Sequence, residues 1–284
     1  MSAPVHPARA LWQLFEPVYA VAFLQPENRA ALGALGLEAD WRGYVAARAA
    51  PLGAADAPPV IAAFFNFAPR RVERALPEVW SQAGPAQVLA ARAEGSAAAL
   101  ARLLESVEPA RVESATAALE EAVARLDCAG RVLAAANAAL PRPADVHGRL
   151  WNAANLLREH RGDGHVAALV AAGLDGCEAP VLHCTLVADR KVLQPMRGWT
   201  DEEWEAAAGR LVERGWLTPQ GAVTELGLVR HRAVEAATDL AAGRVWEGWS
   251  PDELDRLTAD LRPIAAICRE LMPINPLAMP PVER

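Results

Sequence analysis

Lysine is almost missing from this 284-residue chain: Lys191 is the only one, and arginine supplies the rest of the 28 basic side chains. That bias, with the excess of alanine, is the mark of a GC-rich genome and carries no information about activity. The four cysteines, Cys128, Cys177, Cys184 and Cys268, show no CxxC spacing and follow no signal-peptide core, so they are expected as reduced thiols of a cytoplasmic protein rather than a disulfide framework. No apolar run approaches the length that spans a bilayer, which excludes a membrane-spanning helix. The P-loop, the GxGxxG turn, the HExxH zinc helix and the Ser-His-Asp elbow are all absent, which removes the common nucleotide-binding and hydrolase signatures. Aromatic residues are scarce at 6%, yet nine are Trp and only two are Tyr, so a few large rings are expected to anchor many alanine-rich helices.

What the chain does contain is helix. The length suits two domains of ordinary size. The first, 1–140, is expected to be all-α: apolar residues recur at helical spacing over 10–22 with a possible kink at Pro17, and further helices are predicted over 26–35, 40–50, 69–76, 85–104, 111–126 and 130–140. The Phe-rich stretch 60–67 is too apolar to show one face and is expected in the core.

Beyond the Pro141-Arg142-Pro143 connection the pattern becomes more specific. Residues 147–158 predict a helix stopped by the glycine-rich RGDG run (161–164), followed by short helices over 165–172 and 178–187. Thr200 with Glu203, and Ser250 with Glu253, are capping boxes that open helices. The first of these, 201–214, ends at Gly215 and precedes two short β stretches around Pro219-Gln220-Gly221, expected as a hairpin wing. A long helix then runs from about Leu228 to Gly243, a last one to about Leu271, and 272–284 is a proline-rich tail.

The phrases LVERGWL (211–217) and VTELG (223–227) resemble those of MarR-type winged-helix proteins, in which a recognition helix, a hairpin and a long dimerisation helix follow in that order. The resemblance covers roughly 145–268. It implies a C-terminal winged helix-turn-helix domain with a small β wing over 145–271, and a possible homodimer. The segments RAAPLG (48–53), FFNFAP (64–69) and LREHRGDGHVAA (157–168) resemble the SalK-like helix-turn-helix family of actinobacteria across nearly the whole chain, which implies a fold and no particular reaction.

Charge argues against the use that such a fold suggests. The net charge is −7, and residues 1–144 hold 13 arginines against 14 acids, so most of the excess lies on the half that resembles a DNA-binding fold. Within 201–214, Asp201, Glu202, Glu203, Glu205 and Glu213 outnumber Arg210 and Arg214, and the expected wing has no basic residue. Such a surface repels phosphate, although acids at a helix start also suit the macrodipole. DNA is therefore a possible but disfavoured partner.

Two constellations could carry chemistry. Around the RGDG run, His160, His165 and Asp163 could transfer protons while Arg158 or Arg161 clamps an anion. Equally, the glycines could form a plain turn, with Asp163 capping the next helix. The two glycines between the histidines break the spacing that a helical zinc site needs, so no metal is expected, and no cofactor is indicated. In the first half, Trp41, Arg42, Tyr44 and Arg48 share a helix face that Phe64, Phe65, Asn66 and Phe67 could meet, either as plain core or as an aromatic cavity for an apolar carboxylate. The expected protein is a small-molecule-binding regulator or sensor. An enzyme using the His/Asp cluster and a DNA-binding regulator remain as alternatives.

Overall fold

A computed structural model describes residues 5–37 and 41–270. Among them the chain forms α-helices and no strand. In order they are α1 (Pro7–Leu24), α2 (Pro26–Gly33), α3 (Trp41–Ala49), α4 (Ala57–Phe64), α5 (Pro69–Glu73), α6 (Val79–Gln82), α7 (Pro85–Leu103) and α8 (Pro109–Val123). Then follow α9 (Val132–Ala138), α10 (Val146–Ala171), α11 (Glu178–Cys184), α12 (Arg190–Arg197), α13 (Asp201–Glu213), α14 (Glu225–Gly243) and α15 (Pro251–Glu270). Proline serves mainly as a starter: Pro7, Pro26, Pro85 and Pro109 open helices, where the missing N–H would have no partner anyway. Both capping boxes form, with Glu203 N–H donating to Thr200 Oγ at 3.2 Å and Ser250 N–H donating to Glu253 at 2.7 Å. No helix among the described residues is long and apolar enough to cross a membrane.

Two expectations need correction. The sequence predicts a break at Arg161-Gly162-Asp163-Gly164, but α10 runs through it unbroken for 26 residues. A glycine costs a helix interior only about 1 kcal/mol. Against that stand Leu150, Trp151, Leu156, Leu157 and Leu169, all buried along α10, and each such side chain contributes about 1.5–3 kcal/mol on burial. Asp163 therefore does not open a following helix; its carboxylate instead accepts from the Ala134 N–H, in the first turn of α9, at 2.9 Å. A Cβ on Gly164 would lie 2.5 Å from the Arg131 guanidinium, so this glycine serves a close approach and not a turn.

The expected β wing shrinks to one antiparallel bridge, between Leu217 and Val223. Thr218 N–H donates to Ala222 O at 2.8 Å and Thr224 N–H to Trp216 O at 2.9 Å. The ladder has no room to extend, because Gly215 ends α13 on one side and Thr224 caps α14 on the other, its hydroxyl accepting from Gly227 N–H. α12 is an additional helix that the pattern along the chain did not announce. The proline-rich tail lies outside the described residues.

Three apolar clusters hold the helices together. One joins α1, α7, α8, α10, α14 and α15, and so draws on both halves of the chain. A second packs α3, α4 and α7 around Phe64, Phe67 and Leu76. The third holds α11 and α13 against the end of α10 through Leu169, Val181, Trp204, Leu211 and Trp216.

Candidate functional site

Where the three clusters meet, the structure leaves a cavity of about 360 Å³. Its walls come from elements far apart in sequence. α1 contributes Arg9, Trp12 and Glu16, and α10 contributes Arg158, Arg161, Gly162 and His165. Leu182 of α11 and Leu193 and Arg197 of α12 face them, while α14 supplies His231, Val234, Glu235 and Thr238. Arg48, Phe64 and Asn66 complete the wall. A mostly apolar pocket with a few convergent polar groups is the usual form of a small-molecule site.

The continuity of α10 decides which residues of the RGDG region meet. At about 100° per residue, Arg158, Arg161, Gly162 and His165 fall on one face of an unbroken helix. His160 and Asp163 fall on another. His160 Nε2 lies 3.2 Å from Asp127 O, and burial lowers its pKa to about 4. Asp163, whose pKa burial raises, faces Ala134. The pair is therefore separated from His165, and the three do not form one proton relay in this arrangement.

The cavity's polar wall is built on a buried ion cluster. Arg48 grips Glu159 with two hydrogen bonds, at 3.0 and 3.1 Å, and Arg158 adds a third at 2.9 Å. Burial alone would raise the pKa of Glu159, but the two guanidiniums hold it down to about 2. Arg158 also lies 3.6 Å from Glu16 and stacks over Tyr19, whose hydroxyl donates to Glu159. Burial raises the Tyr19 pKa well above its ordinary value. Beside this cluster, Asp239 pairs with Arg161 at 2.9 Å and with Arg9 at 2.8 Å, and Glu235 takes Arg9 at 3.0 Å.

His165 is neutral, since burial lowers its pKa to about 4. Its Nδ1 is 2.9 Å from the hydroxyl of Thr238, which is itself 2.8 Å from the Val234 carbonyl.

Of the first-half candidates, Arg48, Phe64 and Asn66 reach the cavity. Trp41, Tyr44 and Phe67 form an aromatic layer behind it, with ring centroids 4.8 Å apart for Trp41–Tyr44 and Trp41–Phe67. Arg42 reaches Glu78 at the surface, and Phe65 packs on the third cluster. Arg9, Trp12, Glu16, Arg197 and the α14 residues are not among the candidates that the sequence offers. The last of these had a signal in His231, Glu235 and Thr238, which recur at helical spacing on a helix already expected.

The segment after α4 also clasps the chain from α11 to α13. Phe65 takes φ 52°, ψ −68°, a tight reversal that is strained for a bulky residue, and Asn66 N–H donates to Phe64 O at 2.7 Å. A Cβ on Gly176 would stand 2.3 Å from Phe65 O, so only glycine admits this approach. Ala68 N–H donates to Arg197 O, Trp199 Nε1 to Asn66 O, and Arg71 to Pro195 O. Arg70 fixes the first turn of α13 through Glu203, at 2.6 and 2.7 Å, and this pairing holds Glu203 down to about 2. What α13 leaves exposed is Asp201, Glu202, Glu205, Ala206, Gly209 and Glu213. Its arginines are engaged elsewhere, Arg210 with Asp175 and Glu178, Arg214 with Glu178.

A family model described as a helix-turn-helix family matches residues 8–273, a span that takes in α1 through α15 and so every wall of the cavity. No curated protein and no solved structure matches the chain.

Proposed function

The chain belongs to that helix-turn-helix family, and we propose that within it the protein is a regulator or sensor that binds a small molecule between its helical part (1–140) and its helix-turn-helix part (145–271). The observation that carries this reading is the composition of the cavity wall. α1 with Arg48, Phe64 and Asn66 supplies one side and α10, α11, α12 and α14 the other, so an occupant would touch both parts at once. An occupant that binds one arrangement of these elements better than another shifts their equilibrium. The Phe64–Asn66 backbone, part of the wall and of the clasp, would carry the change to the start of α13. Resemblance of 211–217 and 223–227 to MarR-type phrases fits a regulatory role.

The test uses 8-anilinonaphthalene-1-sulfonate, an apolar monoanion that fluoresces when shielded from water. The native protein is expected to bind one equivalent. Gly162→Phe, which fills the cavity from α10, is expected to remove the signal while keeping a cooperative melt. Equal fluorescence from the two proteins would refute cavity binding.

The same reading includes weak or no conventional DNA binding, because α13 presents acids where base and phosphate contacts would be needed. Random duplex DNA at about 50 mM salt is expected to give no complex by fluorescence anisotropy. A complex that weakens about 10³-fold or more by 200 mM salt would show phosphate contacts and overturn the charge argument.

A further inference from the structure

Counting charge around the cavity among the described residues leaves one cation over. Arg9 and Arg161 are balanced by Glu235 and Asp239, and Arg48 and Arg158 by Glu159 and Glu16. Arg197, at the end of α12, has no carboxylate within ion-pair distance among the described residues. Its guanidinium lies 4.2 Å over the Phe67 ring, and its Nε is shut off from solvent with no hydrogen-bond partner. Burial, with Arg48 and Arg158 nearby, lowers its pKa to about 10, which leaves it charged near neutral pH. A shielded cation without a partner is costly, and an anion delivered to it removes that cost. The surplus is a single charge, so a monoanion completes the balance while a phosphate dianion would reverse it. A carboxylate also matches the planar fork of a guanidinium.

A second group asks for a complementary partner. The Val234 carbonyl can only accept, so the one proton of the Thr238 hydroxyl goes to it, and Thr238 must accept from His165 Nδ1–H. That tautomer leaves Nε2 of His165 as a bare lone pair with no protein donor among the described residues. The apolar part of the wall includes Trp12, Phe64, Val166, Leu182, Leu193 and Val234, and the polar Gln13, Asn66, His183 and His231 lie beside it.

We propose that the cavity selects an apolar carboxylic acid that also bears a hydroxyl group, with the carboxylate on Arg197 and the hydroxyl donating to Nε2 of His165. This rests on the cavity being the ligand site. It goes further by assigning the ligand's two polar ends and the residue that reads each.

Calorimetry with three related probes tests it: 3-(4-hydroxyphenyl)propionate, 3-phenylpropionate, and 3-(4-hydroxyphenyl)propan-1-ol. The hydroxy acid is expected to bind at least about tenfold tighter than either of the others, the scale of one satisfied hydrogen bond or ion pair in a shielded site. His165→Phe should erase the difference between the two acids and leave the preference for acid over alcohol. Arg197→Gln, which removes an unpaired cation and is expected to fold, should do the reverse. Equal affinity of the two acids for the native protein, or a hydroxyl preference that survives His165→Phe, would overturn the proposal. If none of the three binds while the anilinonaphthalene sulfonate still does, this ligand class is wrong and the cavity reading stands; if the sulfonate fails as well, the cavity reading falls first.

Discussion

Glu159→Gln is expected to destabilise the fold by about 3–5 kcal/mol, the usual cost of stripping one partner from a buried ion cluster. Glu159 is 1% exposed, and its carboxylate receives Arg48, Arg158 and the Tyr19 hydroxyl. Glutamine keeps the shape but supplies no charge. Two guanidiniums then stay buried with only Glu16, 3.6 Å from Arg158, to offset them. Urea denaturation at pH 7 measures the loss.

Acid should reproduce part of it in the native protein. Glu159 has its pKa lowered from an ordinary 4.5 to about 2 in the folded state. Its contribution is therefore fully present above about pH 4.5 and is lost as pH falls toward 2. At 1.36 kcal/mol per unit this amounts to roughly 3 kcal/mol. Glu203 titrates over the same range, so the diagnostic quantity is the difference between the native protein and the variant, which should shrink across that window. A difference that stays constant from pH 5 to pH 2 would show that Glu159 is not held by its arginines.

Gly227→Ala is expected to cost about 3 kcal/mol, the upper part of the range for overpacking. A Cβ at this position would lie 2.2 Å from the Trp216 carbonyl oxygen and 2.9 Å from Val223. Trp216 O cannot give way easily, because it accepts from the amide of Thr224, the cap of α14, whose hydroxyl donates to the neighbouring Gly215 O. The glycine in the VTELG phrase thus lets the first turn of α14 rest on the chain that leaves α13. Gly209→Ala is the control. It sits mid-helix in α13 with nothing within 4 Å of the added methyl, so it should stabilise by up to about 1 kcal/mol through helix propensity alone. Thermal melts of the two variants shifting in the same direction would contradict the packing argument.

Much of the local structure was legible without coordinates. The capping boxes at Thr200 and Ser250 and the proline starts announce their helices because these signals act within one turn. The aromatic layer of Trp41, Tyr44 and Phe67 was visible as a cluster, though not its place behind the cavity. The glycine-rich run of α10 misled for a definite reason. Glycine is a local signal for a turn, and the buried leucines that override it find their partners on α1, α7, α8 and α14, which no local window contains.

The division between sequence and tertiary structure is sharpest at α10 and α13. The sequence by itself determined that the chain is helical, and that the segment forming α13 is acidic, since charge and period are properties of the segment alone. Only the tertiary structure decided that α10 is continuous, which turns Arg158, Arg161 and His165 to one side and His160 and Asp163 to the other. It alone brought Arg197 to the cavity with no carboxylate in ion-pair distance among the described residues. Pairing and burial depend on which distant helices pack together, and packing is settled by the whole core at once.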